Sequence, residues 1–414
     1  MLFNKARAAD YMKRCELDAL VATSPINITY FSGYYCWVDA LMKEYMMVPG
    51  GTSRLSQAYA VVPAEGEAAL VVSPLFAANA ADVWIQDIHL FGDAGLDHSL
   101  LPVTMDEKSK RIYDLHRQAG KHATPTDALL SILGERGLSD ARIGLEMDGL
   151  PSDTVEEIVR RLPQASIGDC SNTIRLIRMV KTEDEMRRLE RATQISEIAA
   201  MQSLTLAKPG RLMAEIAQHY RRRVAELGAD FDHFAFGLRG MGIATEPEYV
   251  LSGDEVTYVD FGCKFQHYFA DGGTALAMCE PPPVFAGRYA ALSDCVSAGL
   301  AAIRPGAKSS SVREAMWRTL ADRNITAANP HGHGTGLEIR DYPIIVADNS
   351  LRIRDACVDI ASDIVLEAGM VVNLEVPLFM AGAGSLHIEQ TFVIKEEGCQ
   401  PLVQQDRSSP IRGA

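Results

Sequence analysis

Two glutamates lie inside apolar runs that leave no room for an isolated charge. Glu375 sits in Met370-Val-Val-Asn-Leu-Glu-Val-Pro377, and Glu389 in Leu386-His-Ile-Glu-Gln-Thr-Phe-Val393. Runs this rich in Val, Ile and Leu read as buried strands. A carboxylate in such a strand has to be paired, protonated or bound to a metal. The only cationic side chain within either run is His387, which can be neutral. A buried ion pair is the plain reading for each, yet neither run supplies a certain cation.

Three residues upstream bear on that demand. Glu255–Phe261 alternates, so Val256, Tyr258 and Asp260 share one face, and Asp271 ends the next predicted strand, Phe265–Asp271. In an antiparallel hairpin with an even loop, the odd separation lets Asp260 and Asp271 sit directly opposite each other on the same face. Two facing carboxylates repel unless a cation lies between them. Taken alone, one Asp reads as readily as a turn residue and the other as a solvated strand end. His333 lies in Gly332-His-Gly-Thr-Gly336, where glycines allow close approach of the backbone to a second object. A lone histidine is more often packed or solvated than a ligand; the five residues together are hard to explain without metals.

The rest of the chain bounds the setting. Its 414 residues exceed one typical core and predict two domains, 1–168 and 176–414. A net charge of −14 argues against nucleic acid and against an anionic membrane surface. No run of 18 apolar residues exists to span a bilayer, and the opening MLFNKARAADYMKRC lacks a signal-peptide core. Eight cysteines, none in a CxxC pair, read as free thiols in a reducing compartment, and so as a cytoplasmic protein.

Up to about residue 165, helices and strands alternate, which predicts an α/β domain. Its expected elements include helix Asn4–Cys15, strands Ala19–Thr23, Ala58–Val62, Ala68–Val72 and Arg142–Leu145, and helix Ser152–Leu162 N-capped by Ser152. Cys170–Lys181 reads as a bridge. Thr182-Glu-Asp-Glu185 fits a capping box that opens a long helix with the apolar stripe Met186, Leu189, Ala192, Ile195, Ile198 and Ala199. A second helix, Leu212–Leu227, follows. Strand pairs are expected only after Gly253-Asp254, which makes the second half α+β.

The order Asp260, Asp271, His333, Glu375, Glu389 resembles that of the creatinase/aminopeptidase P/prolidase family of pita-bread metallohydrolases. LDALVATSPINITYFSGY resembles the family's opening domain. IRLIRMVKTEDEM, with Arg178, Lys181 and Glu185, resembles its interdomain signature; GDEVTYVDFG, GHGTGLEIRDYP, EAGMVVNLEVP and LHIEQ resemble the catalytic motifs. The resemblance implies an α/β N-terminal domain followed by an α+β pita-bread catalytic domain. It implies two divalent ions, manganese first and iron, cobalt or zinc as alternatives. Asp260 would chelate one ion, His333 and Glu375 would bind the other, and Asp271 and Glu389 would bridge. A bridging hydroxide would attack an amide carbonyl, with Glu375 and His333 as catalytic residues and Glu375 as proton shuttle. It also implies a homodimer, in which Tyr34-Tyr-Cys-Trp37 and Lys43-Glu-Tyr-Met-Met47 are apolar and aromatic enough to reach a neighbour's pocket, though they read equally as core.

The chain departs from the family at the site's edges. The peptidase branch carries a histidine upstream of the first Asp, but Gly242–Val250 has none, and His233, 27 residues before Asp260, reads as too distant. Arg340 stands where a second histidine is expected, and His387 where the family has arginine. Arg340, His387 and His267 are accordingly the candidate substrate-binding residues, with Tyr249, Glu246 and Arg239 as further replacements. Arg340 is expected to pair with Asp341 or an anionic substrate group. Pro343–Glu367 reads as a long pocket-shaping loop. Three functions follow. The first is an Xaa-Pro aminopeptidase or prolidase-like hydrolase acting on a short peptide. The second is a non-peptidase acting on a small polar molecule (an ectoine- or creatine-type C–N hydrolase or a dimethylsulfoniopropionate-type lyase). The third is a catalytically silent binding module.

Overall fold

The computed structural model describes residues 1–51, 56–93, 95–97, 99–100, 104–245 and 248–414. The chain divides into two compact units, Met1–Arg178 with Arg352–Ile360, and Met179–Leu351 with Ala361–Ala414.

The first unit is α/β. Its strands are β1 (Ala19–Ala22), β2 (Tyr59–Pro63), β3 (Ala69–Val72), β4 (Asp87–Leu90), β5 (Arg142–Leu145) and β6 (Ser166–Asp169), and they form one sheet in the order β4-β3-β2-β1-β5-β6. The β1–β2 and β2–β3 pairs are antiparallel; β3–β4, β1–β5 and β5–β6 are parallel. Helices α1 (Lys5–Arg14), α2 (Pro25–Ser32), α3 (Glu107–His116), α4 (Pro125–Glu135), α5 (Ser152–Arg161) and α6 (Ser171–Arg178) surround it. Leu129, Ile132 and Ile158 pack from the helices onto Val21, Val61 and Ile143 in one buried cluster. Helix α1 is capped by Asn4, whose Oδ1 accepts from Arg7 N at 3.2 Å. Helix α5 corrects the sequence expectation, since Pro151 holds the N-cap position without a side-chain cap and Ser152 is the first helical residue. The expected bridge after Cys170 is instead helix α6, whose Arg178 is buried with Nη1 donating to Asn27 Oδ1 at 2.7 Å.

Helices α7 (Glu183–Leu204) and α8 (Met213–Glu226) open the second unit. The capping box forms as expected: Thr182 Oγ1 accepts from Glu185 N at 3.3 Å, and Glu185 Oε2 accepts from Thr182 N at 2.8 Å. Of the expected stripe, Ile198 points outward at 42% exposure, while Glu197 is buried. Strands begin earlier than the sequence suggests, with β7 (Asp230–Gly237) and β8 (Ile243–Ala244). Then come β9 (Val256–Phe265), β10 (Tyr268–Ala277), helices α9 (Pro283–Ala302) and α10 (Ser309–Ala321), and strands β11 (His331–Gly334) and β12 (Asp341–Ile345). A two-stranded pair follows, β13 (Arg352–Arg354) and β14 (Asp359–Ala361). Strands β15 (Val371–Glu375), β16 (Leu378–Met380), β17 (Gly384–Leu386), β18 (Glu389–Lys395), β19 (Gly398–Pro401) and β20 (Ile411–Arg412) complete the chain.

The main sheet runs β12-β11-β15-β18-β10-β9-β7-β8. Helices α7 and α8 cover one face through Ile195, Leu204, Tyr220 and Val224, packed on Phe234, Val259, Phe261 and Leu276. Each such side chain contributes roughly 1.5–3 kcal/mol by leaving water. Segment 343–367 is not one loop: it enters β12 and carries β13 and β14, and Arg352–Ile360 packs with the first unit. There Asp355 Oδ2 accepts from Thr173 N at 2.7 Å. The C-terminal segment returns to the sheet at Arg407. Its Nη2 lies 2.7 and 2.8 Å from the two carboxylate oxygens of Glu197, and its Nε donates to Gly273 O at 3.0 Å, all three groups being buried.

Candidate metal centre

Sheet register gathers the acidic residues into two adjacent rows. In the first, Asp260 faces Gly273, Gly273 faces Glu389, Glu389 faces Glu375 and Glu375 faces His331. In the second, His233 faces Gly262 and Gly262 faces Asp271, while further along Asn373 faces His333. Asp260 and Asp271 therefore share a face but are not opposite each other. The β9–β10 hairpin turns on Gln266-His267, both at positive φ, and pairs Phe265 with Tyr268, which offsets the two aspartates by one diagonal step. Asp271 also lies inside β10 rather than at a strand end.

Among the described residues, three groups bring ligand atoms within 4.8 Å of one another: His233, Asp260 and Asp271; Asp271, His333 and Glu389; and Glu375, His387 and Glu389. Asp271 and Glu389 each belong to two groups, which is the arrangement a bridging carboxylate needs. His333 is fully buried. Its Nδ1 lies 3.0 Å from Gly334 O, and its Nε2 lies 3.6 Å from Asp271 Oδ2 and 3.7 Å from Glu375 Oε1. Asn373 Nδ2 donates to Glu389 Oε1 at 2.7 Å.

The donor set fits divalent cations. His333 Nε2, His387 Nε2, Glu389 Oε2 and Asn373 Oδ1 are buried in this one place with no hydrogen-bond partner. Such atoms are costly unless something fills the space between them. Burial, followed by repulsion from Asp271, Asp260 and Glu375, pushes the Glu389 carboxyl well above the usual range. Burial and the Asp260 charge likewise raise Asp271, against the pull of His233. Burial also acts on Asp260 and Glu375, but the hydrogen bond from His233 on Asp260, and on Glu375 the hydrogen bond from His331 together with the nearby His387 imidazole, hold those two below their ordinary values. Oxygen-rich donors with imidazole suit Mn²⁺, Fe²⁺, Co²⁺ or Zn²⁺.

Several neighbours differ from expectation. His233 is not distant: its Nε2 lies 2.9 Å from Asp260 Oδ1 and 3.4 Å from Asp271 Oδ1. Its signal in the sequence is Asp230–Gly237, a short apolar-aromatic strand that pairs with β9. His331 was also missed; its Nε2 lies 2.8 Å from Glu375 Oε1, and His331 and His333 share a face by the two-residue period of β11. Arg340 pairs with Glu375 (Nη2 to Oε1, 2.6 Å) and not with Asp341, which lies 3.7 Å from Lys181 Nζ. The Arg340 side chain stays 52% exposed. His387 is fully buried, stacked on Tyr258 at 4.1 Å, with Nε2 3.8 Å from Glu375 and 3.7 Å from Glu389. Tyr258 OH donates to Asp260 Oδ2 at 2.6 Å.

His267 is set apart from this group. It occupies the hairpin turn, where burial and the charges of Arg188, Asp230 and Lys264 act on it rather than the carboxylate cluster. Tyr249 OH donates to Glu255 Oε2 at 2.7 Å, and Arg239 lies over the Tyr249 ring at 5.9 Å. Glu246 lies outside the described residues.

Comparison with known proteins gives the same picture at the level of family and fold. Residues 187–396 match the model of metallopeptidase family M24, and residues 5–180 match that of the creatinase/prolidase N-terminal domain. The uncharacterized peptidase YqhT of Bacillus subtilis is 27% identical over 266 residues, which is 62% of this chain and 71% of the relative. Among solved structures, the prolidase from Pyrococcus furiosus superposes with a TM-score of 0.68 at 19% identity, over 96% of this chain and 99% of that one. The X-Pro aminopeptidase from Thermotoga maritima gives 0.73 at 18% identity, over 97% and 99%.

Proposed function

Since the chain belongs to metallopeptidase family M24 and is thus a metallohydrolase, we propose that it is a dinuclear enzyme that hydrolyses a short peptide at an amide bond next to proline. The observation that carries this reading is the convergence of four carboxylates and His333 around buried, unpartnered donor atoms. Asp260 would hold one ion, His333 and Glu375 the other, with Asp271 and Glu389 shared between them. Two bound divalent ions would activate water at neutral pH and polarise the scissile carbonyl.

The protein's own groups supply the rest. Glu375 is the proton carrier: its Oε1 is engaged by Arg340 and His331, and Oε2 lies 3.8 Å from His387 Nε2. Arg340 serves two roles, orienting Glu375 and presenting the exposed part of its guanidinium to the substrate. A homodimer belongs to the same reading, since Tyr35, Trp37, Tyr45, Met46 and Met47 of the first unit are exposed. Among the described residues, no helix is long and apolar enough to cross a membrane.

A second reading is favoured by Arg340 and His387, which stand where the peptidase pattern has other residues. It assigns the same centre to amide or C–N cleavage in a small polar molecule. A panel of Xaa-Pro dipeptides and tripeptides separates the two, assayed on protein loaded in turn with Mn²⁺, Co²⁺, Fe²⁺ and Zn²⁺. Turnover of any member supports the first reading; metal-loaded protein that cleaves none refutes it.

A further inference from the structure

We propose that His233 is a metal ligand. Its Nε2 completes the donor set of the ion held by Asp260 and Asp271, and Asp232 is the positioning residue that aims it. The inference rests on the metal centre described above and adds a residue to it.

The first support is spacing. His233 Nε2 lies 2.9 Å from Asp260 Oδ1 and 3.4 Å from Asp271 Oδ1. Donors about 2.1 Å from a common ion stand roughly 3.0 Å apart in octahedral and roughly 3.4 Å apart in tetrahedral coordination. A hydrogen bond accounts for the shorter distance, but one N–H serves both carboxylates poorly, whereas one cation satisfies all three atoms.

The second support is the other ring nitrogen. His233 Nδ1 lies 2.9 Å from Asp232 Oδ2, and Lys264 Nζ stands 3.7 Å from the same carboxylate. Imidazoles that bind metals typically donate their second N–H to a carboxylate, which fixes the tautomer and turns the lone pair toward the ion. Consecutive strand residues ordinarily point to opposite faces. Here the register slips between Phe231 and His233, and this bulge lets Asp232 and His233 meet on one side.

The third support is room. Gly262 faces His233 across the β7–β9 ladder. A Cβ on Gly262 would stand 2.7 Å from His233 Nδ1 and closer still to Cε1, so a side chain there would push the ring away from the aspartates. Bulge, carboxylate and glycine all serve one ring position.

One imidazole then stands at each end of the centre, His333 and His233. The added nitrogen moves the preference of the Asp260 position from manganese toward iron, cobalt or zinc.

The test is cadmium NMR on the full-length protein with selectively nitrogen-labelled histidine, together with metal titration by calorimetry. In the unaltered protein, His333 and His233 should both show direct cadmium–nitrogen coupling. His233→Gln should remove one coupled imidazole and weaken uptake of one ion by about 10–100-fold or more, and Asp232→Asn, the second variant, should weaken it about tenfold. Coupling at His333 with none at His233, or His233→Gln with unchanged coupling and affinity, overturns this inference alone. Absence of coupling at both residues overturns it together with the metal centre.

Discussion

Replacing Glu389 by glutamine should stabilise the metal-free protein and shrink the stability that metal adds. Glu389 is 1% exposed, its Oε1 accepts from Asn373, and its Oε2 has no partner. Asp271, Asp260 and Glu375 all raise the cost of its charge. Whether it keeps that charge or takes up a proton, the metal-free protein bears a cost that an amide of the same shape avoids. An unsatisfied buried polar group costs about 1–3 kcal/mol. At roughly 2–4 °C per kcal/mol for a domain of this size, Glu389→Gln should melt about 2–12 °C higher in the presence of a chelator. Metal acts in the opposite sense. An ion present at a hundred times its Kd adds about 2.7 kcal/mol to the native state, and a glutamine amide cannot bridge two cations as a carboxylate does. The variant should therefore recover less than half of the wild-type gain in Tm. Differential scanning calorimetry with chelator and with each metal reads both quantities. A variant that is no more stable without metal, or that gains as much as wild type with it, refutes the reasoning.

Arg340→Ala removes the 2.6 Å contact to Glu375 but leaves His331 in place; kcat/KM on the best substrate should fall about 10–100-fold, the equivalent of a charge-assisted hydrogen bond, with metal stoichiometry unchanged by elemental analysis. Gly273→Ala places a Cβ against the His387 ring and 3.0 Å from Glu389 Oε2; urea unfolding should show a loss of about 1–3 kcal/mol and metal titration a weaker centre. Asp363 ties down the start of α10 by accepting from Ser310 N at 2.9 Å and Ser309 Oγ at 3.2 Å. Despite burial, these bonds and Lys308 hold its carboxyl below the ordinary value. A depressed carboxylate contributes stability that is present above its unfolded pKa and lost as pH falls through the folded one. Asp363→Asn should therefore cost about 1–2 kcal/mol at pH 7 and progressively less below about pH 4, as read from Tm against pH.

What could be read from the sequence was local. The capping box at Thr182 and Glu185 needs four consecutive residues, and the isolation of Glu375 and Glu389 shows in their own apolar strands. Register was harder. Parity placed Asp260 and Asp271 on one face, but only the two-residue turn at Gln266-His267 decides whether they are opposite or diagonal. His233 reads as distant because separation along the chain says nothing about distance across a ladder: it reaches Asp260 only through the pairing of Asp230–Gly237 with β9, which adjacency in sequence does not reveal. Arg340 was placed at the site, but its partner lies on β15 rather than in the adjacent residue, and adjacency in sequence favoured Asp341. Ile198 followed the helical period of its neighbours, yet the buried position nearby belongs to Glu197 because Arg407, 210 residues later, neutralises it.

That last pairing bears on the order in which the protein can mature during synthesis. Arg407 is made 210 residues after Glu197, and the same arginine binds the carbonyl of Gly273, the residue between Asp260 and Glu389 in the first row of the sheet. Until Arg407 arrives, closing the sheet over α7 buries a lone carboxylate, at a cost of about 3–5 kcal/mol. A typical domain holds only about 5–15 kcal/mol in total. A chain that stops short of Arg407 should therefore close its second unit less readily, since the strand that carries Asp271 lacks that contact.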